Sequence, residues 1–531
     1  MRTLLVLATF WLGAATALAA DTVPFDATPA GITPTTMTLK GLFAMSKLAQ
    51  GNAPKTRIEK WALTAEELTG TQTIYTSGTD TREDDVLGPF QSASGRLGAQ
   101  KWRQNENGLT LRLRGIHMES EINSRALRNP AKFGRAVRIL GETAVPSAAY
   151  VVELNVPGGR KEWLFFDKTT KLIVRTETVW QEQRVTTTLD DFRKTRGVTE
   201  AWHVHVTDGR PFNDEDYKLQ SLEFGMPVDP SHFAIPPNRH AMFDVPGGKA
   251  AVPATIIDDM VVVAMKVNGH SENFQLDSGA SGILIDRDVA LKDGLKTYGR
   301  STGATAGSYV QTRTVIPEAT IGDLTLHDLV VESLPFETAA GSKRVVGLLG
   351  FDFIAGAVIH IDYLNGKLEA IDPKSFAPPP GAHEIPIALD DGVPFVAASI
   401  ASTRAEHFIL DTGAFRSTLF SAFAKSNPAA VADQGLGDSL EASFPFVNHL
   451  GGVGGTINVR PTQVKDFAFA GFTFAQWLFL ASQENRSFEG EDADGLIGQD
   501  FLRNFDVYLD YSRERIYLVP NDRYNARWPK R

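Results

Sequence analysis

Between residues 109 and 207, apolar and polar positions alternate in short runs: LTLRLR at 109–114, then 149–154, 163–167, 172–178, 184–189 and 201–207. A period of two gives each run one apolar face, the signature of half-buried strands. Asn107-Gly108 and Pro157-Gly158-Gly159 fall between runs and supply turn residues. Residues 20–237 therefore predict an antiparallel, mainly β domain. It ends in YKLQSLEFGMPVDPSHFAIPPN, a strand followed by a proline-rich exit.

Two stretches rich in Pro and Gly, 238–253 and 372–384, read as linkers, because proline cannot donate to a ladder. They bound segments 254–371 and 385–531, which repeat one another. Residues 261–280 align with 395–414 at a constant offset of 134, without a gap. Further on, GLLGFDFIAGAVIHIDYLNGKLEAI from Gly347 aligns with GLIGQDFLRNFDVYLDYSRERIYLV from Gly495, at an offset of 148. The second copy thus carries fourteen more residues between its two signatures (148 against 134). Gly350 matches Gly498, Asp352 matches Asp500, and Asp362-Tyr363 matches Asp510-Tyr511. Each copy predicts mostly strands, with one short helix near Phe351 and Phe501.

Residues 1–19 read as a secretory signal: Arg2, an apolar run from Leu4 to Leu12, and Ala17-Leu18-Ala19 as an A-x-A site with cleavage after Ala19. No later run reaches the ~18 apolar residues of a spanning helix. The expectation is an exported chain, periplasmic or secreted, with no membrane span. Cysteine is absent from all 531 residues. That removes disulfides, thiolate metal sites and a cysteine nucleophile. The net charge of −10, with both signs mixed along the chain, argues against a nucleic-acid partner.

The repeat carries its chemistry in one phrase, FQLDSGAS around Asp277 and FILDTGAF around Asp411. Each is an apolar strand running into Asp-Ser/Thr-Gly-Ala, and the Gly allows a tight turn. Brought together across a pseudo-twofold axis, Asp277 and Asp411 cannot easily both ionise, so the pair retains one proton over an acidic range. One carboxylate then takes a proton from water while the other gives one to a carbonyl oxygen. These two phrases, each with a downstream Leu348-Leu349-Gly350 or Leu496-Ile497-Gly498, resemble the retropepsin-like aspartic proteases over roughly residues 252–520. The resemblance implies two homologous β lobes forming a bilobal acid-protease fold, with Asp277 and Asp411 catalytic. It also implies that Ser278, Gly279, Thr412 and Gly413 support the catalytic loops. No cofactor or metal is implied. Glycine-rich flaps over an extended peptide or protein substrate would contain Gly303, Gly307 and Tyr309 in the first lobe, and Gly452 and Gly454 in the second. Viral relatives pair two one-lobe chains; here both lobes lie in one chain, which implies a monomer. Phe415, where the first lobe has Ser281, either lines a pocket or closes it.

The pattern of the first domain resembles the half-barrel domains of the lipoprotein-carrier type, which implies an apolar ligand but transfers no functional residue. Other readings are weaker. His203 and His205 share one strand face without a third ligand. The run from Gly451 to Gly455 lacks the Lys-Ser/Thr ending of a phosphate loop. Asp258-Asp259 and Asp390-Asp391 read as turn or edge charges. The alternative to a peptidase is a non-enzymatic periplasmic protein that binds peptide or lipid on a protease scaffold.

Overall fold

The computed structural model describes residues 27–527 except 181–182, 305–307, 337, 432–448, 454 and 484–492. The signal sequence expected at 1–19 and the flap positions Gly307 and Gly454 lie outside the described residues. The protein is mainly β. An antiparallel domain precedes two β lobes that share one strand order. No helix among the described residues is long and apolar enough to cross a membrane.

The first domain is one thirteen-stranded meander in which Thr56–Ala65 pairs with the last strand, Glu215–Phe224. Helices Leu39–Gln50 and Glu119–Arg128 pack Leu42, Phe43, Ala126 and Leu127 into the same core as Leu154, Phe166 and Val204 of the sheet. The first helix is capped by Thr38, whose hydroxyl accepts the Gly41 amide (3.1 Å), and ends at Gly51 with φ +80°. The alternation read at 149–207 falls on Ala149–Leu154, Glu162–Asp167, Ile173–Trp180, Gln183–Thr195 and Val198–Thr207. Asn107-Gly108 turns the hairpin between Gln100–Gln104 and Thr110–Leu113.

Each lobe is an eight-stranded sheet, and the two sheets have one strand order. In the first, Ala254–Ile257, Met260–Val267, His270–Leu276, Gly347–Leu349, Ile283–Asp286, Leu324–Leu334, Ser308–Ile321 and Thr297–Ala304 lie side by side. In the second, the order is Ala388–Asp390, Val393–Ile400, Thr403–Leu410, Gly495–Ile497, Thr418–Leu419, Phe472–Ser482, Gly455–Phe469 and His449–Gly452. Each sheet also closes on itself, its second strand pairing with its seventh. Besides the expected helices Phe351–Ile354 and Gln499–Leu502, each lobe has a second short helix, Arg287–Lys292 or Ser421–Ser426.

A six-stranded sheet joins the lobes: Lys249–Val252, Lys367–Ile371, Val358–Asp362, Phe505–Asp510, Arg515–Pro520 and His383–Pro386. Its centre marks the twofold axis. His360 faces Tyr508, its own counterpart at the 148 offset, with rings stacked 4.1 Å apart, and Ile359 and Ile361 face Leu509 and Val507. Of the outermost strands, Lys249–Val252 lies within the first stretch read as a linker, and His383–Pro386 begins at the end of the second. Their prolines do not prevent this. Pro246 and Pro253 flank Lys249–Val252, and Pro386 ends its strand, so the intervening amides stay free to pair.

Candidate active site

The strands His270–Leu276 and Thr403–Leu410 are anchored by buried Phe274, Leu276, Phe408 and Leu410, each 0% exposed. Rigid at their base, they deliver Asp277 and Asp411 to the axis between the lobes. The Asp277 amide donates to the Leu349 carbonyl (3.0 Å) and the Asp411 amide to that of Ile497 (2.9 Å), so each loop rests on its downstream apolar-Gly strand. Gly350 and Gly498 are required there: a Cβ on Gly350 would stand 2.4 Å from the Ala280 carbonyl oxygen, and one on Gly498 2.7 Å from that of Ala414.

Across the axis the loops hold each other reciprocally. The Ser278 amide donates to Thr412 Oγ1 and the Thr412 amide to Ser278 Oγ, both at 2.9 Å. Each hydroxyl then donates onward, Ser278 Oγ to the Leu410 carbonyl (2.7 Å) and Thr412 Oγ1 to that of Leu276 (3.1 Å). Ser278 and Thr412 are 1% and 0% exposed, so none of these groups has water as a substitute partner. Gly279 and Gly413 bring each backbone against the opposite carboxyl. A Cβ on Gly413 would lie 2.4 Å from Asp277 Cγ, and one on Gly279 2.8 Å from Asp411 Cγ.

The carboxylates accept from their own loops: the Gly279 amide reaches Asp277 Oδ1 at 2.8 Å, and the Gly413 and Ala414 amides reach Asp411 Oδ1 at 2.7 and 3.0 Å. Both residues keep some accessible surface, yet burial is the largest influence on each. Burial, the Asp411 charge and the Asp411 hydrogen bond push Asp277 well above the ordinary carboxylate range. Burial raises Asp411 too, but the amides of Gly413, Ala414 and Gly279 and the bond from Asp277 oppose it. Ionising both carboxyls is therefore disfavoured, and the pair holds one proton between them.

Of the flap positions, Gly303 pairs with Tyr309 in the hairpin of Thr297–Ala304 and Ser308–Ile321, and Gly452 pairs with Gly455. Tyr309 is 7% exposed and packs with Leu284, Leu334, Leu348 and Ala280, beside Val453 of the other hairpin. Phe415 is 51% exposed, with the Arg416 guanidinium 4.9 Å over its ring.

Several contributors escaped the motif reading. Gln275 Nε2 donates to the Gly413 carbonyl (2.8 Å), and the Gln499 amide group donates to that of Thr412. Their repeat counterparts, Ile409 and Phe351, are apolar, and a polar residue breaking an otherwise faithful repeat is the signal that marks them. Tyr363 and Tyr511 are buried counterparts. Burial raises both phenols, and the dyad charges add to it: Asp411, with Asp259, on Tyr363, and Asp277 and Asp411 on Tyr511.

The remaining candidates lie elsewhere. His203 bridges Asp190 (Nδ1, 2.7 Å) and Asp216 (Nε2, 2.7 Å) on the first domain's sheet. No group of acidic and histidine side chains suited to a metal occurs among the described residues. Asp258-Asp259 and Asp391 occupy tight turns at positive φ, and Asp390 ends the strand leading into the second turn.

No curated protein sequence matches the chain. Among solved structures, an aspartic proteinase from Irpex lacteus is similar at 16% identity and a TM-score of 0.33, covering 52% of this chain and 99% of that one. A LolA superfamily protein from Nitrosomonas europaea is similar at 10% identity and a TM-score of 0.28, covering 38% of this chain and 98% of that one. A DUF1329 family protein from Desulfovibrio piger shows 14% identity and a TM-score of 0.29, covering 38% and 98%. Residues 263–353, which contain the Asp277 loop and the Leu348-Leu349-Gly350 strand packed beneath it, match the family model described as aspartyl protease.

Proposed function

We propose that this protein is an exported aspartic endopeptidase that hydrolyses peptide bonds with water activated by Asp277 and Asp411. The observation that carries the reading is the reciprocal Ser278–Thr412 hydrogen bonding, which holds two Asp-Ser/Thr-Gly loops face to face. The ionised carboxylate of the pair takes a proton from the attacking water. The protonated one gives its proton to the scissile carbonyl oxygen as the tetrahedral intermediate forms. The roles then reverse as the C–N bond breaks and the amine leaves protonated. Substrate lies extended between the lobes, bonded through its backbone as an added strand. Both carboxylates belong to one chain, which supports a monomeric enzyme.

Asp277→Asn and Asp411→Asn are each expected to abolish turnover of a peptide library, with circular dichroism and melting behaviour kept close to those of the parent. Because the active form needs one proton on the dyad, the rate falls at alkaline pH as that proton is lost. Because Asp277 is raised, this limb lies above the ordinary carboxylate range. Normal turnover in either variant refutes the shared dyad. Peptide binding without turnover, surviving loss of either Asp, establishes a binding protein instead.

A further inference from the structure

We propose that the first domain's hairpin of Gln100–Gln104 and Thr110–Leu113 completes the first catalytic loop, with Asn105 and Asn107 acting as positioning residues through Asp352. This rests on the peptidase reading above for its consequence in catalysis, though not for the clamp itself.

The two lobes solve one problem differently. In the second, Asp500 holds the strand that leaves the catalytic loop: the Ser417 amide (2.9 Å) and Oγ (2.7 Å) both donate to Asp500 Oδ1, and the Gly498 amide donates to Ser417 Oγ (3.1 Å). In the first lobe the counterpart of Asp500 is Asp352, and that of Ser417 is Ile283. The Ile283 amide still serves the carboxylate, but its side chain has no donor. Asp352 is 4% exposed, and a buried carboxylate short of donors is costly. The missing donors come from the other domain. Asn105 Nδ2 reaches Asp352 Oδ1 at 2.8 Å, and Asn107 Nδ2 reaches Oδ2 at 2.9 Å.

The hairpin is built into the lobe and does not merely lean on it. Leu109 and Leu111, 2% and 3% exposed, belong to the hydrophobic core of the lobes and not to that of their own domain. Asn107 also exchanges two bonds with the Val330 backbone (2.9 and 2.8 Å), as a paired strand would. Asn105 Oδ1 accepts the Leu109 amide (2.9 Å), which fixes the turn that presents both amides. Around this point Glu106 pairs with Arg313 of the same lobe (3.0 Å), while Arg114 reaches the second lobe, its amide donating to Asp390 (3.0 Å) and its guanidinium to Glu514 (2.9 and 3.0 Å).

From Asp352 the constraint passes to the dyad over few bonds. The Phe351 amide donates to the Ala280 carbonyl (3.0 Å) and the Gly350 amide to that of Gly282 (3.1 Å), while Asp277 rests on Leu349. Residues 277–283 are thus strapped to 349–352, and the hairpin holds the far end of the strap. The first domain is then a working part of the enzyme and not a detachable spacer.

The test is a donor–acceptor swap in the full chain. Asn105→Asp puts two carboxyls against each other and keeps the acceptor for the Leu109 amide, with Arg103 the nearby cation that acts on Asp352. At pH 5 the pair shares a proton and keeps its bond; at pH 8 both ionise and the clamp opens. The expected result at pH 8 is faster hydrogen exchange at the amides of 277–283, with 411–417 unchanged, and kcat reduced about tenfold or more while KM stays within about twofold. N105D/D352N returns an amide opposite a carboxylate and restores both readouts. If N105D does not fold at pH 8, refolding in the double variant supports the clamp, and failure of the double variant overturns it. Unchanged exchange at 277–283 in N105D also overturns it. A parent protein that cleaves no peptide, with exchange behaving as described, overturns the peptidase reading and leaves the clamp standing.

Discussion

Gly413→Ala is the most demanding probe of the proposed dyad, because it adds one methyl group and removes nothing. The new Cβ would lie 2.4 Å from Asp277 Cγ and 2.5 Å from each of its oxygens. Carbon atoms in contact sit ~3.5 Å apart or more, so the overlap is about 1 Å. At Gly279→Ala the distance to Asp411 Cγ is 2.8 Å, an overlap of about 0.7 Å. Neither carboxyl can swing away freely, since each is held by amides of its own loop. The loops must therefore part. A separation of about 1 Å stretches the 2.9 Å Ser278–Thr412 bonds beyond hydrogen-bonding length. Losing both, at ~1 kcal/mol net each with some desolvation penalty left behind, costs about 2–4 kcal/mol. Displacing a reacting group by that amount lowers the rate by about 100-fold. The assay pairs kcat/KM on a cleaved peptide with the melting temperature, and the expected order of damage is G413A above G279A. Parent-like kcat/KM in G413A, or the reverse order, would refute the claim that these carboxyls work at the separation the loops impose.

Two further perturbations separate the scaffold from the charges. Thr412→Ala removes the acceptor for the Ser278 amide and the donor to Leu276, and is expected to destabilise by about 2–3 kcal/mol with loss of turnover. Thr412→Ser keeps both bonds and most of the activity, and equal melting temperatures for the two variants would count against the reciprocal brace. Stability should fall as pH rises from about 5 to 8. Burial raises Glu106, Glu332, Glu215 and Glu162 to about 7 and Asp85 and Asp352 to about 6. Over that window the folded chain binds more protons than the unfolded one, whose carboxyls have already ionised, so stability drops with each proton lost. His203 acts in the same direction, because the Asp216 and Asp190 bonds raise it and its contribution is lost as it deprotonates. A melting temperature that is flat or rising between pH 5 and 8 would overturn this assignment.

What the sequence discloses depends on whether the physics behind a residue is local. The dyad is legible because duplication writes the same local solution twice, and the symmetric bonds of Ser278 and Thr412 follow from identical loops meeting at an axis. Val198–Thr207 is legible because buried Val204 and Val206 alternate with half-buried neighbours, whereas Ala149–Leu154 and Glu162–Asp167 are buried on nearly every residue. Asp80–Leu87 is not legible: only Glu83 along DTREDDVL is fully buried, so no alternation survives. Its neighbouring hairpin turns at Glu66-Glu67, both at positive φ and without the usual glycine or asparagine. The linkers deceive for a related reason, since proline at a strand's end spares the amides between. The residues least legible by motif are those where the repeat fails: Gln275 against Ile409, Gln499 against Phe351, and Ile283 against Ser417. In each, a donor exists in one lobe only. The lobes cannot be strictly symmetric, because the first domain meets each of them with different groups. Ile283 is tolerable only while Asn105 and Asn107 supply what Ser417 supplies elsewhere. A duplicated chain therefore records its added partner as a defect in its own symmetry, and an alignment of the chain with itself is where that defect can be found.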